Sequence, residues 1–574
     1  MKKCKSFLIL FFLLFSIGAA AAQAGVEPEG ELYADAVGWY LKGYVEALPQ
    51  LKPYPAGFIR RMLAAVAERG DPDEAEKARH YEARYFSKPW NVSASGDMDV
   101  KLYQLESGGD KNTRYFEDTE FFAADVRFAG DAAVSDLFSA SWNVGVVGMN
   151  SAISVEDAVP LFVKDSDRQK IDTLFVDCGK MDLLFDFNGI VSVGTGSLYG
   201  TFGLNKAAFG LYPDSDILLN PSAVQMLNAS FNYSGRHFEY VHLLAGLAAA
   251  DYTRKSDCAA GKFLAFHSIR LPLFKRKLCV SYYESVIYGK RFAPAYLMPV
   301  PFAVVANVSG FNENVIAGLQ LEWRPLPCIV LTANAAFDDL QPKSVLKLKL
   351  NDAAVRTAFK TGFIYTPLDS ICSQLSFDYT LVTPYTYTSY YTEDRRYNYS
   401  DYTNCGMYIG SELPPNSDRC SFRIAFKPIP TLKLSTLTTF VRHGNAAQSW
   451  SDEDVMLRSE REAGGFISDG GVEMNSGGLG SASDATDFLK QSDIMYIIQA
   501  GISAEYEFRR TKAGVFSISA GYTFEYVRND GVDSPLYPGT YASAEAVQAA
   551  RNAWRGALHD SFQNYFSVGF TYVY

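Results

Sequence analysis

Glycoside hydrolysis needs two carboxylates at a defined separation, and Glu284 with Asp338 or Asp339 is such a pair on paper. The chain carries 64 acidic residues, however, so pairs of this kind arise by chance. Ser285, beside Glu284, stands in no nucleophile-elbow context, and the six histidines are too scattered to pick out a triad. The glycine-rich GTGSLYGTFG interrupts a strand pattern and lacks the Gly-Lys-Ser/Thr ending of a phosphate loop. Aspartate-rich segments match no EF-hand loop. No catalytic, cofactor-binding or metal-binding constellation is expected, so the chain is read as a protein without enzymatic chemistry.

The cysteines do not supply chemistry either. Cys4 lies in a leader, leaving Cys178, Cys258, Cys279, Cys328, Cys372, Cys405 and Cys420, with no CxxC and no metal-ligand spacing. Their odd number leaves at least one thiol unpaired. Either Cys405 and Cys420 bridge around the Pro414-Pro415 turn, or the cysteines are isolated small apolar residues, which their scatter favours. A net charge of −11 over 574 residues argues against a nucleic-acid partner, which needs a clustered basic face.

The elements that would position any site change character along the chain. MKKCK followed by SFLILFFLLFSIGAA and Ala22-Gln23-Ala24 reads as an export signal over residues 1–24. Residues 25–88 form a helical region. Val37, Leu41, Tyr44, Val45 and Leu48 recur at helical steps, Phe58, Met62 and Val66 lie between Pro55 and a Gly70 stop, and a third helix starts after Asp71 with Pro72 in its first turn.

Near Asn91 the period becomes two. NVSASGDMDVKLY, DLFSASWNVGVV, IIQAGISAEYEF, VFSISAGYTFEYV and the closing SFQNYFSVGFTYVY all alternate apolar or aromatic with small or polar residues. These runs exceed the roughly 5–6 residues of an ordinary strand and match the ~9–11 of a tilted transmembrane strand. Lipid supplies no hydrogen bonds, so such a sheet must close on itself. With 36 Tyr and 40 Phe the chain is rich in the aromatics that such barrels place at the head groups.

The expected fold is an all-β, antiparallel transmembrane barrel over residues 89–574, of about 16–20 strands, in the bacterial outer membrane. Its last strand closes against the first, with both chain ends in the periplasm. Its terminal aromatic is the kind of signal that barrel-assembly machinery reads, and outer-membrane lipid is the other partner. Long polar stretches at 444–487 and 528–560 suit cell-surface loops, and RRTKAG and KPIPT suit short turns at the opposite end. Turns assigned between Pro367 and Pro430 do not alternate consistently up and down.

The middle of the chain is more specific. It runs FHSIRLPLFKRKLCVSYYESVIYGKRFAPAYLMPVPF, FNENVIAGLQLEWRPLPCIVLTANAAFDDLQ and FDYTLVTPYTYTSYY, then YTNCGMYIGSELPPNSDRCSFRIAFKPIPTLKLSTLTTFVRHG. This order resembles the Wzi-like capsule assembly family over most of residues 175–445. The resemblance implies about 18 strands, helices that brace or plug the periplasmic mouth, and a noncatalytic role in holding surface polysaccharide. The chain departs from the family in its very long 445–490 loop.

The polar members of the matching motifs are His267, Glu284, Tyr288, Arg291, Asn314, Asp338, Asp339, Arg442 and His443. An Arg or Lys facing lipid at mid-membrane costs roughly 2–4 kcal/mol, so these residues are expected to point inward or sit at strand ends. Inside, they either form an ion-paired network that fills the lumen or line a polar track for sugar hydroxyls. The alternatives to polysaccharide attachment are a porin-like channel, gated in part by the helices, and a structural or adhesive surface protein. Small inward residues such as Ser93, Ser95 and Gly96 would favour an open lumen.

Overall fold

The computed structural model describes residues 31–573 except 87–89, 105–119, 136, 150–174, 178–181, 213–215, 221–224, 251–257, 299–312, 341–354, 369, 388–396, 398, 405–406, 430, 460–486, 509–513, 535 and 538. The export signal at 1–24 lies outside the described residues, as do the side chains of Ser93 and Ser95 and that of Asp339.

Three helices come first: α1 (Glu31–Lys42), α2 (Ala56–Arg69) and α3 (Pro72–Phe86). The period that carried Tyr44, Val45 and Leu48 into the first helix overruns its end. Gly43 adopts φ +83° and the Tyr44 amide bonds back to the Trp39 carbonyl, which closes α1 with a left-handed cap. Pro55 stands one residue ahead of α2 as its N-cap. Asp71 caps α3 by accepting from the Glu74 amide at 3.0 Å.

The barrel strands follow. They are β1 (Trp90–Gln104), β2 (Glu120–Ser135), β3 (Phe138–Met149), β4 (Asp182–Gly194), β5 (Leu198–Asn205), β6 (Met226–Ser234), β7 (Glu239–Ala250), β8 (Cys258–Leu273) and β9 (Leu278–Gly289). The second half comprises β10 (Asn314–Trp323), β11 (Ile329–Leu340), β12 (Val355–Tyr365), β13 (Cys372–Val382), β14 (Ser417–Ile429), β15 (Leu432–Gly444), β16 (Ile494–Glu507), β17 (Val515–Asp530) and β18 (His559–Val573). Each pairs antiparallel with the next. β18 pairs with β1 from Val573 opposite Ser95 to Asn564 opposite Gln104, so the sheet closes. Closure leaves no free edge for lipid to contact.

Alternation assigns the faces. On β16 to β18, Ile498, Ile502, Tyr506, Phe516, Tyr522, Phe562, Phe566, Val568 and Tyr572 are exposed on the outside, while Gln499, Glu525 and Gln563 are buried inside. Connections alternate too. Those after β2, β4, β6, β8, β10, β12, β14 and β16 are short, and the helices sit at that end. The others, apart from the seven residues after β7, are longer in sequence and lead to a far mouth that carries α4 (Asp452–Ser459) and α5 (Ala544–Ala557). The parity problem between Pro367 and Pro430 disappears because 383–416 is one long connection. Its tyrosine-rich sequence has strand-like composition, but Tyr385, Tyr387 and Tyr402 are buried inside the barrel.

The cysteine reading needs correction. Cys420 is free, so it does not bridge to Cys405, and Cys258 is disulfide-bonded rather than isolated.

Candidate functional site

The lumen is entered from both ends. Prolines 49, 53 and 55 keep the chain between α1 and α2 out of helix, and it extends into the barrel as a finger. Leu51–Lys52 of the finger pairs antiparallel with Ala208–Phe209, which belong to the long β5–β6 connection descending from the far mouth. The wall holds the finger on several sides. Ser268 donates to Gln50 Oε1 at 2.8 Å, Arg270 to the Leu48 carbonyl at 3.3 Å, and Lys52 itself donates to the Tyr212 carbonyl at 3.3 Å. Arg270 is buried and shared between Glu322 and Glu239, while Glu239 also takes Arg276 at 2.5 Å. This network answers the need of buried charges for partners.

The descending connection is tightly fixed. Gly210 has φ +99°, and a Cβ there would lie 2.5 Å from an Asp216 carboxylate oxygen, so only glycine fits the turn. Phe209 meets Phe266 and Tyr283 edge-on at 5.1 and 5.8 Å. Asp216 accepts from the Ile217 amide at 2.6 Å and from Asn334 at 3.1 Å. Burial pushes its carboxyl up to about 6.

A second insertion, 383–416, locks against the first. Tyr387 Oη donates to the Ile217 carbonyl at 2.5 Å, and the Asn220 amide to the Ile409 carbonyl at 2.8 Å. Lys262 and Asp401 form an ion pair with both side chains wholly buried, and Ser285 meets Tyr402 Oη at 2.7 Å. Toward the far mouth, Trp450 donates to Tyr385 Oη at 3.2 Å and stacks on Tyr537. Val547 and Trp554 of α5 complete the apolar core above them. Among the described residues, protein therefore runs continuously from the helices to the far mouth.

The residues singled out in the sequence do not form one track. Asn314 donates to the Ser400 carbonyl at 2.9 Å and Asp338 accepts from the Tyr387 amide at 2.6 Å, so both hold the 383–416 insertion. The Asp339 backbone pairs with Arg356 beside a register shift. His443 faces inward and meets Ser417 Oγ at 2.7 Å. Arg291 is exposed above the wall, 3.5 Å from Glu313.

Arg442 lies on the outer face near the rim. Its Nε donates to Asp418 at 2.9 Å, and Tyr379 Oη reaches the same carboxylate at 2.9 Å. His267, Glu284 and Tyr288 correct the expectation of inward residues. Lys262, Leu264, Phe266, Ser268 and Arg270 are the inward set of β8, so His267, on the opposite parity with exposed Leu271 and Leu273, faces outward. Glu284 lies opposite His267 in register, and Tyr288 shares its face. The physical reason is a cover over them: the chain after β9 folds back onto the outer wall, and Met298 O lies 3.2 Å from His267 Nε2.

Sequence reasoning missed a neutral wall. On β3 to β6 most of the inward side chains are small and polar, beside Ile190, Tyr199 and Met226: Ser139 meets Ser192 at 2.7 Å, Thr201 meets Ser230 at 2.6 Å, and Asn232 donates to Ser230 at 2.7 Å. Asn232 Oδ1 and Tyr199 Oη are buried there without a hydrogen-bond partner. The signal is present in the alternating LYGTFGLN and MLNASFNYS, where the glycines read as interrupting a strand pattern although the strand continues through them. Hydroxyls and amides of this kind can bond to polyols, and no group of three His, Cys, Asp or Glu among the described residues is placed to hold a metal ion.

No protein-family model matches the chain, and no curated protein matches it. Among solved structures, the chain is similar to Wzi of Escherichia coli, described as an outer membrane protein involved in group 1 capsule assembly and a carbohydrate-binding β-barrel. That match covers 96% of this chain and 99% of Wzi, with TM-score 0.51 and 9% identity. Two Pseudomonas aeruginosa proteins also align: OccD3 (OpdP) over 85% of this chain and 91% of its own, with TM-score 0.41 and 8% identity, and OprD over 84% and 95%, with TM-score 0.39 and 10% identity. At such identities the likeness to Wzi is one of fold: this chain has the architecture of an outer-membrane β-barrel.

Proposed function

We propose that the protein is a noncatalytic attachment point for surface polysaccharide, akin to the Wzi-like family, with its helices in the periplasm and its far mouth at the cell surface. The observation that carries this reading is the meeting of Leu51–Lys52 with Ala208–Phe209 inside the barrel. Two chain segments joined by backbone hydrogen bonds narrow the lumen at that level, which suits a surface anchor that gains rigidity from them better than a wide pore. The likeness to Wzi, whose description names carbohydrate binding, supports the same choice. A porin-like pore is the second reading, and the neutral β3–β6 wall is what favours it.

The test uses the full mature chain. Cells lacking the protein are compared with cells that have it for polysaccharide retained on the surface, and purified protein is tested for binding the released polysaccharide. Attachment is expected to be lost without the protein, with direct binding in vitro. Unchanged retention together with slower uptake of small solutes would instead establish the pore.

A further inference from the structure

From Phe292 to Asn312 the β9–β10 connection contains no Asp, Glu, Lys, Arg or His. That composition is foreign to a water-exposed connection at a barrel mouth, where charged side chains normally prevail. The described part, 290–298, turns back along the outside of the wall. Tyr296 packs 4.7 Å from Tyr288, which stacks on Phe263 at 5.4 Å, and Ala293, Ala265 and Val286 complete the contact.

Beneath this segment lie groups that hydrocarbon does not tolerate. His267 is fully buried, His242 meets it edge-on at 4.5 Å, and Tyr282 Oη donates to Glu284 at 2.6 Å. Their neighbours on the same wall are apolar and exposed. Phe231 stands opposite His242 in register, and Leu319 stands opposite Tyr282. The polar groups thus sit at the level of an apolar outer belt, and the segment reaches them at His267 through the Met298 carbonyl.

The outer side of the segment matches that belt. Phe292, Leu297 and Met298 are exposed at 53%, 49% and 54%. Irregular backbone is excluded from lipid when its polar groups go unsatisfied, and here the demand is reduced. Pro294 has no amide hydrogen, the amides of Tyr296 and Met298 bond within a 3-10 turn to Ala293 and Ala295, and the Met298 carbonyl lies 3.2 Å from His267 Nε2.

We propose that residues 290–298 form a membrane-inserted strap. Its outer face meets lipid acyl chains, and its inner face, anchored on His267, seals His242, His267 and Glu284 from them. This interaction surface is independent of what the far mouth binds.

The experiment places a nitroxide on Leu297→Cys in the full mature chain, with Cys372 and Cys420 replaced by serine, in phosphatidylcholine vesicles. Collision rates with oxygen, which concentrates in the bilayer, and with a water-soluble nickel chelate are compared with two references: Leu319→Cys on the outer wall and Ala544→Cys on exposed α5. The oxygen-to-nickel ratio at 297 is expected to match that at 319. A ratio like that at 544, or shielding from both reagents as a covering protein copy would give, overturns the proposal. His267→Ala should release the strap, so that the label gains mobility and its ratio falls toward the α5 value; an unchanged label would remove His267 as the anchor. Met298→Cys gives the same readout should Leu297→Cys not fold.

Discussion

At the residue scale, Asp216 makes the lumen contacts sensitive to acid in an unusual direction. Its folded carboxyl is pushed up to about 6, above the 3.8 usual for aspartate, because burial disfavours the charge. A raised acid binds its proton more tightly in the folded state. The contribution is therefore fully present below about pH 4 and is lost as pH rises through 6, an effect on the order of 3 kcal/mol. Amide protection factors at Ile217–Leu219 should be higher at pH 5 than at pH 8, and Asp216→Asn should flatten that difference; equal protection in the unaltered chain would refute it. Residue identity was legible in the sequence but residue facing was not. Alternation puts His267 opposite Phe266 and Ser268 without saying which set looks inward. The cost of charge in lipid suggested the lumen for His267 and Glu284. It failed there because a covering segment, which no local pattern reveals, can satisfy the same cost from outside.

At the element scale, the insertion 383–416 depends on few strong anchors. Lys262 and Asp401 are both wholly buried, so Lys262→Ala leaves a carboxylate without its cation, a loss typically of about 3–5 kcal/mol. Limited proteolysis should then cut within 383–416 while the barrel strands stay intact; resistance equal to the unaltered chain would show that the apolar contacts of Tyr385, Tyr387 and Tyr402 suffice. The strands were readable because period-two alternation is local. The three helices were readable from their periods and from Gly70 and Pro72, although Gly43 ends α1 sooner than its apolar spacing suggests. The insertions were not readable, since tyrosine-rich TPYTYTSYY has the composition of a strand and takes its structure from partners far away in sequence, such as Asp338 and Ile217.

At the scale of the whole molecule, a barrel of about 16–20 strands and closure of the last on the first follow from strand length and from lipid's lack of hydrogen-bonding partners; the described residues supply eighteen long strands, and the last does pair with the first. What fills the barrel does not follow from those rules. It depends on a finger between α1 and α2 finding Ala208–Phe209, a contact between segments more than 150 residues apart. The helices are also tied to the wall from below: Arg324 lies over the Tyr40 ring at 4.2 Å, the Cys328 amide donates to the Leu41 carbonyl at 3.0 Å, and Lys433 pairs with Glu31 at 2.6 Å. Ties of this kind suit the fixed plug that the proposed attachment role requires better than a swinging gate. Single-channel recording of the refolded mature chain in a planar bilayer, beside a variant lacking residues 25–88, tests this most directly. The expected result is silence from the full chain. Stable, stepwise conductance by the full chain would contradict it and make the pore the leading function.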